Sequence, residues 1–258
     1  MILNYFSKKN EKSSQAVTHT KEMLEKYAKE IDFSKRNTII YTKEVKDLVK
    51  RTHIVPQNTV LEMDSVSAIL KYGADSNSGK IAVLNFASYK NPGGMFLEGS
   101  IAQEECLCHE SFLYNVLKEF PEYYEYNNQH KNKALYTNRC LYSKDIFFER
   151  DNASCKCDVI TCAAPNFTAA SKYCNVTEKE NSKALRERIK FVLDIAEDNK
   201  VDTLILGAYG AGVFGQSAEE VATLFKNIIE SENYGFSKIV YAIIPGPNVD
   251  PFKKIFGK

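Results

Sequence analysis

Three apolar runs, each stopping at a turn, constrain this chain more than any other feature. They are "KIAVLNFAS" (80–88), "CDVITCAAP" (157–165) and "DTLILGA" (202–208). Continuous apolar runs between turn signals are what strands covered on both faces require. Segments of helical spacing alternate with them, which predicts an α/β fold: a mixed, largely parallel sheet between two helical layers. In such sheets ligands bind beyond the carboxyl ends of the strands. The loops after residues 88, 165 and 208 all fall there.

Shorter strands are expected at "TIIYT" (38–42), "NTVLEM" (58–63) and "KIVYAIIPG" (238–246). Helices are expected at 13–31, 65–73, 101–118, 178–199 and 217–231. The second of these has Asp64 or Ser65 as its cap and Gly73 as its stop. A length of 258 residues suits one large domain, or one domain with an extension. The opening "MILNYFSKKNEKSS" lacks the apolar core of a signal peptide, and no run approaches the roughly 18 apolar residues of a membrane span. Seven cysteines then read as reduced thiols in a cytoplasmic compartment. Cys106-x-Cys108 and Cys155-x-Cys157 are spaced too closely for ordinary zinc ligation, so no metal is expected. A formal net charge of +1 gives no electrostatic argument for a nucleic-acid or membrane surface.

Two of the loops carry chemistry. After the first strand comes "NPGGMFLEGSIAQEE" (91–105), a glycine arch running into Gln103-Glu104-Glu105. Glycines there allow positive φ or a close approach of backbone to a ligand. The two carboxylates can simply match a helix dipole. Alternatively, one can act on a sugar held under the arch, since adjacent helical residues point about 100° apart and cannot share one job. Glycosidic cleavage needs a group that protonates the leaving oxygen and then activates water. The helix dipole lowers a carboxylate's pKa, whereas burial raises it.

After the third strand comes "GAYGAGVFG" (207–215), opening the helix "SAEEVATLFKNII". Its glycines and the helix start suit a diphosphate cradle. Gly210-x-Gly212-x-x-Gly215 also matches the dinucleotide fingerprint literally, which leaves a nicotinamide-dependent oxidoreductase as an outside reading. The loop lies too near the C-terminus for a second mononucleotide half, and the next strand ends at Pro245 rather than at an acidic ribose clamp.

Taken together, "VLNFASYKNPGGMFLEGSIAQEECLC", "TCAAPNF" and "GAYGAGVFG" resemble the microbial-type poly(ADP-ribose) glycohydrolase-like macrodomains. The resemblance runs from about residue 38 to the C-terminus. It implies a three-layer α/β/α macrodomain over 38–258 with an N-terminal helical extension over 1–37, binding ADP-ribose without cofactor or metal. By position it implies Glu105 as general acid/base on the distal ribose, Glu104 as a ribose contact and Gln103 as a loop anchor. Gly93 and Gly94 would close the backbone on ribose and phosphate. Gly210, Ala211, Gly212, Val213, Phe214 and Gly215 would wrap the diphosphate. Asn85 or Asn91 would bond ribose hydroxyls, although Asn91 before Pro92 is equally a turn residue. Asp64 could accept from adenine or merely cap its helix. One departure stands out: the family's third loop glycine is Met95 here. An ordinary φ at Met95 makes it a lid over the ribose, and a positive φ would alter the loop.

The implied activity is hydrolysis of the anomeric bond of a terminal ADP-ribose. The substrate is poly(ADP-ribose), an ADP-ribosylated protein or an ADP-ribosylated nucleic acid, and the motif does not choose among leaving groups. The alternative is a macrodomain that binds ADP-ribose as a non-catalytic reader.

Overall fold

The computed structural model describes residues 2–257 apart from 43, 46 and 47, and the side chains of residues 11 onward within these. Among the described residues, seven strands form one sheet: β1 (Ile39–Tyr41), β2 (Gln57–Leu61), β3 (Ile81–Phe86), β4 (Cys140–Arg150), β5 (Ala153–Cys162), β6 (Thr203–Leu206) and β7 (Lys238–Ala242). Their spatial order is β1-β4-β5-β3-β6-β7-β2. The pairs β5–β3, β3–β6, β6–β7 and β7–β2 are parallel, and β1–β4 and β4–β5 are antiparallel. The sheet is therefore mixed and largely parallel.

Alternation along the central strands divides the core in two. Ala82 and Leu84 of β3, Ile160 of β5, and Leu204 and Leu206 of β6 face one helical layer. That layer is α8 (Glu178–Asp198), α9 (Ala218–Glu232) and α10 (Val249–Phe256). Ile81, Val83, Val159 and Ile205 face the other. It comprises α1 (Ile2–Lys26), α2 (Ala28–Arg36), α3 (Ser65–Gly73), α4 (Gln103–His109), α5 (Leu113–Leu117) and α6 (Pro121–Gln129). Helix α7 (Phe167–Cys174) follows β5. Fully burying one such aliphatic side chain contributes about 1.5–3 kcal/mol, so the continuous apolar runs are explained by burial on both faces.

Several expected boundaries shift for physical reasons. The segment expected as one helix over 13–31 is two, broken at Tyr27 (φ −125°, ψ 31°). There the ring packs on Phe112 and Phe147 and the hydroxyl donates to Glu149. The expected helix 101–118 breaks because Ser111 Oγ donates to the Leu107 carbonyl and accepts from the Leu113 amide. A serine side chain competing for backbone groups favours such a break. Gly73 lies inside α3 rather than stopping it. Its need for glycine is steric, since a Cβ would stand 2.4 Å from Cys155 Sγ. Among the described residues, no helix is long and apolar enough to cross a membrane.

The N-terminal helix is fastened to the loop after β3. Ser13 Oγ donates to the Leu97 carbonyl at 2.5 Å, and Asn115 Nδ2 donates to the Thr20 carbonyl at 2.9 Å.

Candidate active site

Strands β5, β3 and β6 are adjacent and parallel, so their carboxyl ends deliver three loops to one edge of the sheet. The loop after β3 is built on glycines. Gly93, Gly94 and Gly99 have φ of 65°, 63° and 78°, a region that costs a residue with a Cβ about 1–2 kcal/mol. Gly94 is also needed for space. A Cβ there would stand 2.4 Å from Glu105 Oε1 and 3.0 Å from Glu104 Oε2. The arch thus lies directly against both carboxylates.

These carboxylates have different surroundings. Glu104 is buried, with Oε1 accepting from Asn85 Nδ2 at 3.2 Å and Oε2 from the Ser88 amide at 2.6 Å. Burial pushes its pKa up to about 8. The neighbouring Glu105 charge adds to the rise, while the Ser88, Asn85 and Gly93 donors oppose it. Between the helix dipole and burial, burial wins at Glu104. Glu105 is also buried and is held by one oxygen only: Oε1 accepts from the Met95 amide at 2.9 Å. Its Oε2 is buried with no hydrogen-bond partner among the described residues. A carboxylate oxygen out of water and without a donor is costly to maintain, which makes it a functional candidate.

Gln103 fixes the start of α4. Its Oε1 accepts from the Phe86 amide at 2.9 Å, and its Nε2 donates to the Leu84 carbonyl at 2.9 Å and to Ser65 Oγ at 3.0 Å. Met95 does not have positive φ, and its side chain is half exposed. What the third loop position supplies here is an amide, and any residue except proline has one.

The loop after β6 is locked at both ends and open in its middle. Gly210 (φ 74°) packs against Ala164, and Gly215 (φ 71°) against Thr168, where a Cβ would stand only 2.3 Å from the hydroxyl. Gln216 Nε2 donates to the Pro165 carbonyl at 2.7 Å. Between these anchors, Gly212 and Val213 are exposed and Ala211 half-buried. The amides of Gly212, Val213 and Phe214 donate to no acceptor among the described residues. Unpaired amides in the turn that leads into a 15-residue helix suit an anion.

Aromatic rings join the two loops. Tyr89, three residues beyond β3, stacks on Tyr136 at 3.9 Å, and Tyr136 meets Phe214 edge-on at 6.2 Å. Phe86 and Tyr209 are 5.6 Å apart beneath them. The glycine arch with its two glutamates and the amide-rich turn are therefore brought together at this edge of the sheet.

The other candidates fall as follows. Asn85 is fully buried behind Glu104, donating also to Thr161 Oγ1 at 3.3 Å. Asn91 is exposed in a turn, its carbonyl accepting from the Gly94 amide. Asp64 caps α3 through the Val66 and Ser67 amides and pairs with Arg150 at 3.1 Å. Of the cysteines, Cys108, Cys140, Cys157 and Cys162 are buried free thiols, behaving as small apolar side chains. Sequence reasoning missed Ser88, Tyr89 and Tyr136. The polar pair Ser88-Tyr89, just after β3, is a local signal for the first two, and Tyr136 has none.

The family model described as microbial-type PARG, catalytic domain, matches residues 9–151. A poly(ADP-ribose) glycohydrolase structure from Thermomonospora curvata is 28% identical, with 96% of this chain and 100% of that one covered and a TM-score of 0.85. Another structure from that organism, bound to the inhibitor ADP-HPD, is 27% identical over 95% and 99% of the two chains, with a TM-score of 0.81. The Deinococcus radiodurans enzyme in complex with ADP-ribose is 31% identical over 87% and 96%, with a TM-score of 0.78. No curated protein gives a significant match.

Proposed function

The chain belongs to the microbial-type PARG catalytic-domain family, and from that premise we propose that it binds a terminal ADP-ribose and hydrolyses its anomeric bond, with Glu105 as general acid and base. The observation that carries this reading is the asymmetry at Glu105: one oxygen anchored by the Met95 amide, the other buried and without a partner among the described residues.

In this account the diphosphate rests on the open amides of 212–214 and the distal ribose lies under the glycine arch. Glu105 acts first as the acid, giving a proton to the leaving oxygen as the C–O bond breaks. The resulting Glu105 carboxylate then takes a proton from the water that adds to the anomeric carbon. Free ADP-ribose forms and the carboxyl group is restored. This acid-then-base sequence suits the oxocarbenium-like transition state of glycosidic hydrolysis. Glu104, mostly neutral at pH 7 and held by Asn85 and the Ser88 amide, backs the arch without adding a full negative charge to the site. Gly93 and Gly94 close the arch on the sugar, while Gly210, Ala211, Phe214 and Gly215 shape the diphosphate turn. Asn85 acts through Glu104, and Asn91 serves the turn.

The fold is read as a macrodomain over 38–258 carrying the helical extension 1–37, working in the cytoplasm without metal or cofactor. The ordinary φ of Met95 removes the ground for a non-catalytic reader. The test is turnover of a panel comprising poly(ADP-ribose), ADP-ribosylated serine, glutamate and arginine, and an ADP-ribosylated DNA base. Release of ADP-ribose from the polymer supports the proposal, and release from no member of the panel refutes it.

A further inference from the structure

Resting on that reading, we infer that a stack of Arg139, Tyr126 and His130 forms a leaving-group subsite that takes the adenine of the adjoining ADP-ribose unit in a polymer. Arg139 is 8% exposed, and its Nε is buried without a hydrogen-bond partner. No carboxylate pairs with it among the described residues. Its guanidinium instead lies 4.0 Å from the centroid of Tyr126 and 5.5 Å from that of Tyr123. Burying a cation without an anion is costly, and cation–π contact recovers only part of that cost.

Tyr126 in turn stacks on His130 at 3.8 Å with an interplanar angle of 11°. The three groups form a layered tower with the buried cation at its base and the exposed His130 ring at its top. His130 Nδ1 donates to the Tyr126 carbonyl at 2.8 Å. In the neutral ring this leaves Nε2 as an acceptor. A flat face plus one acceptor is complementary to a purine carrying an amino group.

The tower stands next to the segment that leads from β3 into the arch. Tyr89 hydroxyl donates to the His130 carbonyl at 2.9 Å, while the amide of the preceding residue, Ser88, donates to Glu104. It lies on the β4–β5 side of the arch, since Arg139 directly precedes β4. The amide-rich turn for the diphosphate follows β6, on the opposite side of β3. The turn also leans on Ala164 and Thr168, after β5, and its Phe214 meets Tyr136, which stacks on the Tyr89 that bonds His130. Turn, arch and tower thus share one edge, and in this proposal a substrate with its distal ribose at Glu105 directs its leaving group to His130. In a ribose–ribose link, the oxygen that departs is on the same sugar that carries adenine, one carbon away from the base. That proximity favours a polymer over a modified side chain.

The experiment measures binding and turnover separately. In the Glu105→Gln background, calorimetry compares a two-unit ADP-ribose oligomer with ADP-ribose itself. In the otherwise wild-type chain, kcat/KM is compared for poly(ADP-ribose), for an ADP-ribosylated serine peptide and for an ADP-ribosylated DNA base. His130→Ala is expected to lower oligomer affinity and polymer kcat/KM about tenfold, in keeping with the loss of one base–aromatic stack. ADP-ribose affinity and peptide turnover should stay within twofold, and His130→Phe should restore most of the loss. Equal losses on both substrates, or an unchanged oligomer-to-monomer ratio, overturn the subsite. Preferential loss on an ADP-ribosylated DNA base with none on the polymer overturns the assignment to a polymer. A chain that binds the oligomer preferentially through His130 but cleaves nothing keeps the subsite and refutes the hydrolase reading instead. Failure to bind ADP-ribose at all refutes both.

Discussion

Gly94→Ala is the sharpest perturbation of the arch. The residue has φ of 63°, so alanine incurs about 1–2 kcal/mol of backbone strain. The larger effect is on the site. The new Cβ would stand 2.4 Å from Glu105 Oε1, roughly 1 Å inside ordinary contact, and Glu105 must move by about that distance. A misplacement on the order of 1 Å at a reacting group costs about 10²-fold in rate. Gly212→Ala is the matched control, because nothing lies within 4 Å of its Cβ and its φ is not in the left-handed region. Turnover of poly(ADP-ribose), measured beside a thermal melt, should show Gly94→Ala folded, slightly less stable and about a hundredfold slower. Gly212→Ala should keep its turnover within severalfold. Wild-type turnover by Gly94→Ala would show that contact between arch and carboxylate does not set the chemistry.

Other consequences follow from the same geometry. Met95→Pro removes the amide that holds Glu105 Oε1, and turnover should fall at least tenfold, whereas Met95→Gly should retain it; steady-state kinetics on both variants decides. Glu104, with its folded pKa pushed up to about 8, binds its proton more tightly than the unfolded chain does. Its contribution to stability is full below the unfolded pKa of about 4.3. It is then lost by about 1.4 kcal/mol per pH unit as pH rises toward 8, where it levels off. Glu104→Gln, which cannot ionise, should flatten this slope in a denaturation series from pH 5 to 8.5. An unchanged slope would place the titration elsewhere.

Much of the architecture was legible because burial on two faces leaves so plain a mark. The apolar runs that became β3, β5 and β6 announced central strands, and the loops after them announced the edge where the site lies. β4 was hidden for a local reason. Its register shifts between Ser143 and Ile146, and Asp145 takes a φ of 55°, so "CLYSKDIFFER" shows neither a clean alternation nor a continuous apolar run. Helix α10 was masked by Pro251, which sits near its start, where proline is tolerated. At the site, Gly93 and Gly94 were readable because positive φ calls for glycine. The joining of Tyr89, Tyr136 and Phe214 was not, because residues so far apart in the chain meet only through the sheet order. Asp64 had two readings, and its two amide contacts identify it as a cap.

The central claim concerns one oxygen atom, Glu105 Oε2, and the most direct measurement replaces its carboxylate with an amide. For Glu105→Gln, ADP-ribose affinity by calorimetry and release of ADP-ribose from the polymer should be measured on the same preparation. The account predicts affinity within a few-fold of wild type and turnover reduced by about 10²–10⁴-fold. Turnover that survives the substitution would contradict it.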